Sequence, residues 1–324
     1  MNDGSKQFSA WFVAIGLSGT IFGGGSYWIK NNIKPSHASN EHGDEHAAAP
    51  AAHGDEHAAA PAAHGDEHDA AAPEHSDAHA AAPAAHAAPH WTYGKGDASG
   101  PSNWGSLASS FYQCEKGMEQ SPIDISGGQY STKAPKIVWH YDQAKLDVEN
   151  NGHTIQSSDA SKENFVTIDG EKYTLAQFDF HNPSEHRIKG IPSDIEMQFV
   201  HKNAEGKLAV IGVMINESSG KENKAFKAIW DILPRSKNTK APTQAIAKLG
   251  DLLPKDRDYY HYKGSLTTPP CSEGVRWFVL QQPISISAGQ VEMYSSIFEG
   301  STNRPVQPIQ GRDILTNKTP VVAH

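Results

Sequence analysis

The distribution of apolar and polar positions divides the 324-residue chain into three regimes. Residues 8–29 read FSAWFVAIGLSGTIFGGGSYWI, a run without a charge. At helical rise it is long enough to cross a hydrocarbon core of roughly 30 Å. Residues 35–90 contain no aromatic residue and no Lys or Arg, and are built almost wholly from Ala, His, Asp, Glu, Gly and Pro. Such a stretch has too little apolar surface to offset the entropy of ordering it. From His90 onward, short apolar segments alternate with turn residues, at 136–139, 165–168, 195–200, 208–215 and 277–280. These read as strands. Helical periodicity is sparse, clearest at 224–233 and 243–249. The pattern predicts a mainly β domain over residues 90–324, with a large, mostly antiparallel twisted sheet and short peripheral helices.

The apolar run is read as an uncleaved transmembrane anchor behind a short cytoplasmic tail, residues 1–7. Trp11 lies near one end and Tyr27 and Trp28 at the other, where amphipathic rings favour the membrane interface. The run closes on Tyr27-Trp28-Ile29-Lys30, a poor cleavage site for a secretory signal. Lys6 on one side and Lys30 and Lys34 on the other leave orientation undecided by the positive-inside rule. Gly19 and Gly23, with Gly16, Gly24 and Gly25, form a small-residue face on which a membrane-protein partner would pack closely. The two cysteines, Cys114 and Cys271, are compatible with two buried thiols or with one disulfide. A disulfide needs an oxidising compartment, which an anchored extracytoplasmic domain has. The chain is therefore read as single-pass, with its C-terminal domain outside the cytoplasm, most simply facing a bacterial periplasm.

Residues 30–89 form the tether between anchor and domain. The sequence HGDEHAAAPAA starts at His42, recurs from His53, and recurs in degenerate form from His64. Proline in every copy excludes a continuous helix. As a flexible coil the 35–90 segment would span roughly 40 Å, and as a stiff polyproline-like chain about 170 Å. Eleven of the 18 histidines lie in it. The pairs His42/His46, His53/His57 and His64/His68 stand beside carboxylates, a pattern able to hold Zn, Ni or Cu loosely. The formal charge of −9 belongs to this segment, whose ten acidic residues leave the remainder at about +1. No basic stripe with interleaved aromatics is present, so no nucleic-acid partner is expected.

Seven segments in order resemble the α-class carbonic anhydrase family of bacterial type. They are His90-Trp-Thr-Tyr-Gly, Glu119-Gln-Ser-Pro-Ile-Asp-Ile, Asn150-Asn-Gly-His, Asn182-Pro-Ser-Glu-His, Leu208-Ala-Val-Ile-Gly-Val, Gly264-Ser-Leu-Thr-Thr-Pro-Pro-Cys-Ser-Glu and Asn303-Arg-Pro-Val-Gln-Pro. The resemblance implies that family's fold over about residues 90–315, and a Cys114–Cys271 disulfide, as in many bacterial members. It places the proton shuttle at His153, the pair that orients a zinc hydroxide at Glu185 and Thr267, and the polar wall at Gln177 and Thr268. Val200, Val210 and Leu266 would form the apolar wall for CO2, and Glu196 would support the third zinc ligand.

Family chemistry requires three neutral imidazoles and one open coordination position, so that zinc lowers the pKa of bound water to about 7. The corresponding positions here are Asp179, His181 and Gln198. Only His181 retains an imidazole. His201 lies three residues beyond Gln198, which sends it to the opposite face of a strand. The expectation is a carbonic-anhydrase-like domain, inactive or strongly impaired, serving as a binding or structural module. No zinc is expected at full occupancy, and an ion pair between Asp179 and His181 would stand in its place. The rival expectations are an active carbonic anhydrase with an altered metal site, and a metal- or pH-responsive protein working through its tether.

Overall fold

A computed structural model describes residues 89–159 and 161–319. The candidate anchor and all of the tether except Pro89 lie outside these residues. Among the described residues no helix is long and apolar enough to cross a membrane.

The chain enters through three short helical turns: α1 (Trp104–Leu107), a 3-10 turn and α2 (Gln113–Lys116). Strands follow: β1 (Asp124–Ile125), β2 (Gln129–Tyr130), β3 (Ile137–His140), β4 (Gln143–Asn150), β5 (Ile155–Asp159), β6 (Phe165–Ile168) and β7 (Glu171–His181). Next come β8 (Arg187–Ile188), β9 (Ile191–Pro192), β10 (Ile195–Lys202), β11 (Leu208–Ser218), α3 (Lys227–Trp230), β12 (Thr239–Lys240) and β13 (Ala245–Lys248). The chain ends with β14 (Tyr259–Ser265), β15 (Glu273–Leu280), β16 (Ile284–Ser287), α4 (Ala288–Ser295) and β17 (Leu315–Thr316). All five segments expected to be strands are strands.

The main sheet runs β12-β4-β5-β7-β10-β11-β15-β14-β17-β2. Its neighbours are mostly antiparallel, but β11 pairs in parallel with both β15 and β16, so the sheet is mixed. The helical expectation at 243–249 is wrong. Ala245 and Ala247 are buried while Ile246 and Lys248 are exposed, a period of two, and the segment hydrogen-bonds to the edge of β4 as β13. A 3-10 turn, Leu249–Leu252, follows. Of the helix expected at 224–233, only Lys227–Trp230 is helical.

The central strand β10 is buried on both faces. Odd positions Ile195, Met197 and Phe199 enter the main core with Phe178 and Phe180 of β7 and Ile211 and Val213 of β11. Even positions Glu196, Gln198 and Val200 face the other way, where Val200 packs with Val210, Leu266 and Trp277 in a second cluster. Two-residue periodicity thus sets an apolar core on one side of the sheet and a polar floor with an apolar wall on the other. The Cys114–Cys271 disulfide is formed, with Cα atoms 5.0 Å apart, and packs with Trp91, Tyr93, Trp104 and Phe111.

Candidate functional site

Register brings the expected residues together. Gln177, Asp179 and His181 share one face of β7 and stand opposite Val200, Gln198 and Glu196 of β10, respectively. Val210 of β11 lies opposite Val200, and Gly212 opposite Gln198. A Cβ on Gly212 would fall 3.0 Å from Glu196 Oε1, so glycine leaves the room this carboxylate occupies. Glu185 enters from the loop after β7. Leu266 and Thr267 enter from the loop after β14, and the Thr267 side chain lies beside the Glu185 carboxylate. Thr268 follows in that loop, its carbonyl accepting from the Cys271 N–H at 2.9 Å.

Most polar atoms on this floor meet another protein group, Asp179 Oδ1 being buried without a hydrogen bond. His181 Nδ1 is 2.6 Å from the Thr302 carbonyl and so carries a proton. Its Nε2 is 3.5 Å from Asp179 Oδ1 and 3.7 Å from Glu185 Oε2. Burial alone would lower the pKa of His181, but Glu185, Asp179 and the Thr302 carbonyl outweigh it and hold the imidazole up at about 10. These neighbours favour the imidazolium form of the ring, while burial pushes the Glu185 carboxyl above its ordinary value. The carboxamide of Gln198 donates to Glu185 Oε2 at 2.9 Å and to Glu196 Oε1 at 3.2 Å. Both acceptors are carboxylate oxygens, so the orientation of the amide follows from chemistry. Gln177 Nε2 lies 3.4 Å from Asp179 Oδ2.

Behind this floor runs a chain of buried polar groups that sequence reasoning missed. Glu196 accepts from the backbone N–H groups of Glu185 and His186, and its Oε1 is 2.8 Å from His186 Nδ1. His186 Nε2 meets the Tyr262 hydroxyl at 2.6 Å, and that hydroxyl meets Ser121 Oγ at 2.8 Å. Burial pushes Glu196 up, but His186 more than offsets this and the carboxyl ends below its usual value. Arg304 contributes its backbone N–H to Glu185 Oε1 at 2.8 Å. His186 and Arg304 were visible only as letters inside quoted motifs.

His153 is not beside His181. It stacks on Trp91 with ring centroids 3.7 Å apart, and burial lowers its pKa to about 4. Tyr93 stands between the two histidines, 6.5 Å from His153 and 6.3 Å from His181 by ring centroids. Its hydroxyl and Asp179 Oδ1 are buried without a hydrogen bond. His201 faces the opposite side of the sheet, as expected, and its Nε2 is 2.5 Å from the Tyr141 hydroxyl.

The sequence profile of the eukaryotic-type carbonic anhydrase family matches residues 99–318. The chain is 40% identical over 229 residues to a carbonic anhydrase of Klebsiella pneumoniae, covering 70% of this chain and 91% of that one. It is similar in structure to the α-carbonic anhydrase of Thermovibrio ammonificans solved with the inhibitor sulfanilamide, with a TM-score of 0.67 and 38% identity over 71% of this chain and all of that one. It is also similar to dioscorin complexed with ascorbate, with a TM-score of 0.64 and 28% identity over 70% of this chain and 97% of that one.

Proposed function

Because the chain belongs to the eukaryotic-type carbonic anhydrase family, we propose that its domain keeps the family architecture but not the zinc-hydroxide route to CO2 hydration, and acts as a binding or structural module. One observation carries this reading: the family's zinc-ligand positions are tied to protein groups, His181 to Asp179 and Glu185, and Gln198 to Glu185 and Glu196. The donor set does not fit the family's zinc. It offers one imidazole, one carboxylate and one carboxamide, where the chemistry needs three neutral imidazoles. Among the described residues, no group of three or more His, Cys, Asp or Glu is arranged to hold a metal ion. Glu185, which would orient a hydroxide in the family, here accepts from the Gln198 amide as well as from the Arg304 backbone N–H. The dioscorin–ascorbate complex supports small-molecule binding on this fold.

The second reading, a working carbonic anhydrase with an altered site, is favoured by relatives of that name at 40% identity. The two are separated by stopped-flow CO2 hydration on the full chain and on an Asp179→His, Gln198→His double variant. The proposal expects the unmodified protein near the uncatalysed rate. Hydration in the unmodified protein well above the uncatalysed rate would refute it. The proposal also places the domain outside the cytoplasm on its anchor and tether, with a membrane-protein partner at the Gly-rich run or the domain surface. Protease added from the cytoplasmic side should leave it intact, and cleavage from that side would overturn the placement.

A further inference from the structure

Beside the floor lies a cavity of about 910 Å³ that none of the roles above uses. It sits on the same face of the sheet and shares Gln177 with the site. Register explains its form. Lys240 of β12 stands opposite Glu149 of β4, Glu149 opposite Gln156 of β5, Gln156 opposite Asp179 of β7, and Asp179 opposite Gln198 of β10. A second row, Asp147 to Ser158 to Gln177, runs beside it. Two rows of polar side chains therefore cross the strands from the sheet's outer part to the site floor. From Lys240 to Asp179 is three strand spacings, about 14 Å.

The lining selects a chemical class. Its charged residues balance, Asp147, Glu149 and Asp159 against Lys162, Lys202 and Lys240, so the groove carries no net charge to favour an anion or a cation. Several of these are already engaged: Lys240 with Glu149 at 3.5 Å, and Asp147 with the Gln244 amide at 2.9 Å. None of the lining residues is aromatic, so a nucleobase has no ring to stack on, and the apolar part of the wall, supplied by Leu175, Ala176 and the carbon atoms of polar side chains, suits the C–H faces of a sugar. Asn150, Asn151, Asn203 and the Thr239 hydroxyl are bonded within the protein, which leaves the Gln156, Gln177 and Asn238 amides and the Ser158 and Thr174 hydroxyls, groups that donate and accept at once. The cavity is at the upper end of the range for small-molecule sites.

We infer that this groove binds a neutral, hydroxyl-rich ligand of more than one ring, a short oligosaccharide, laid across β4, β5 and β7 with one end at Gln177. This deepens the binding-module reading and rests on it. The full chain would be titrated by calorimetry with maltotriose, cellotriose and tri-N-acetylchitotriose, with glucose, citrate and spermidine as comparisons. At least one trisaccharide should bind, more tightly than glucose, citrate or spermidine. Ser158→Arg, which fills the groove, should weaken it by roughly tenfold or more. Glu149→Ala, a surface change that folding tolerates more readily, should weaken it in the same direction. The inference is overturned if no trisaccharide binds, if binding survives both substitutions, or if citrate or spermidine binds in preference. CO2 hydration measured on the same sample keeps the two claims apart. Fast hydration defeats the proposed function whatever the sugar result, and absent sugar binding with uncatalysed hydration defeats this inference alone.

Discussion

Replacing Asp179 with Asn removes one of the two carboxylates that hold His181 protonated, with little change of shape. Unit charges 3.5 Å apart interact by about 5 kcal/mol at an effective dielectric of 20. Asp179 is partly exposed, so solvent screens the pair and the interaction lost is smaller, about 2–3 kcal/mol at pH 7. That equals a fall in the His181 pKa of about two pH units, from about 10 to roughly 8. The folded value lies above the ordinary 6.5, so the contribution of His181 to stability is fully present below pH 6.5 and is lost as pH rises through 10. The unmodified protein should therefore lose stability steadily from pH 6.5 to 10 in urea unfolding, and Asp179→Asn should complete its loss near pH 8. The His181 ring followed by NMR would give the same two midpoints. An unshifted His181 titration in Asp179→Asn, or a flat alkaline limb in the unmodified protein, would refute the ion-pair reasoning.

Tyr93→Phe removes a buried hydroxyl that has no partner, so its melting temperature should stay level or rise by an amount worth about 1 kcal/mol. A loss larger than that in thermal unfolding would mean the hydroxyl is satisfied in solution. The Cys114–Cys271 bond closes a separation of 157 residues, and Cys114→Ser should cost about 2–5 kcal/mol in chemical denaturation. An unchanged midpoint would contradict this. Burial lowers the pKa of His201 and His261 to about 4. The unfolded chain therefore binds more protons between pH 4 and 6.5, and stability should fall as pH drops through that window. Constant urea midpoints from pH 6.5 to 4 would contradict it.

How much of this was legible in the sequence depended on the range of the interaction. Alternation in Gln177-Phe-Asp-Phe-His and Glu196-Met-Gln-Phe-Val-His already separates Phe178, Phe180 and Phe199, which enter the core, from the polar positions that line the site. The segment 243–249 was misread because Ala, Lys and Leu are compatible with a helix, and only the open edge of β4 makes it a strand. The tie from Gln198 to Glu185 joins a strand to a loop, and no local spacing encodes it. Tyr93 enters the site from the chain's opening turns, so its place depends on packing around the disulfide and Trp104. The polar rows from β12 to β10 arise from register across strands distant in sequence. None of these has a sequence period to reveal it.

The most direct test of the account is the zinc content of the full chain, purified without chelator and dialysed against micromolar zinc, beside the Asp179→His, Gln198→His double variant. The Glu185, Thr267 and Glu196 groups that would support imidazole ligands are already in place. The account expects the unmodified domain to retain no stoichiometric zinc at its floor after the tether's loosely held metal is washed out. It expects the double variant to approach one zinc per chain, with each single change far below that. One tightly held zinc in the unmodified protein, lost on Asp179→Asn, would contradict it.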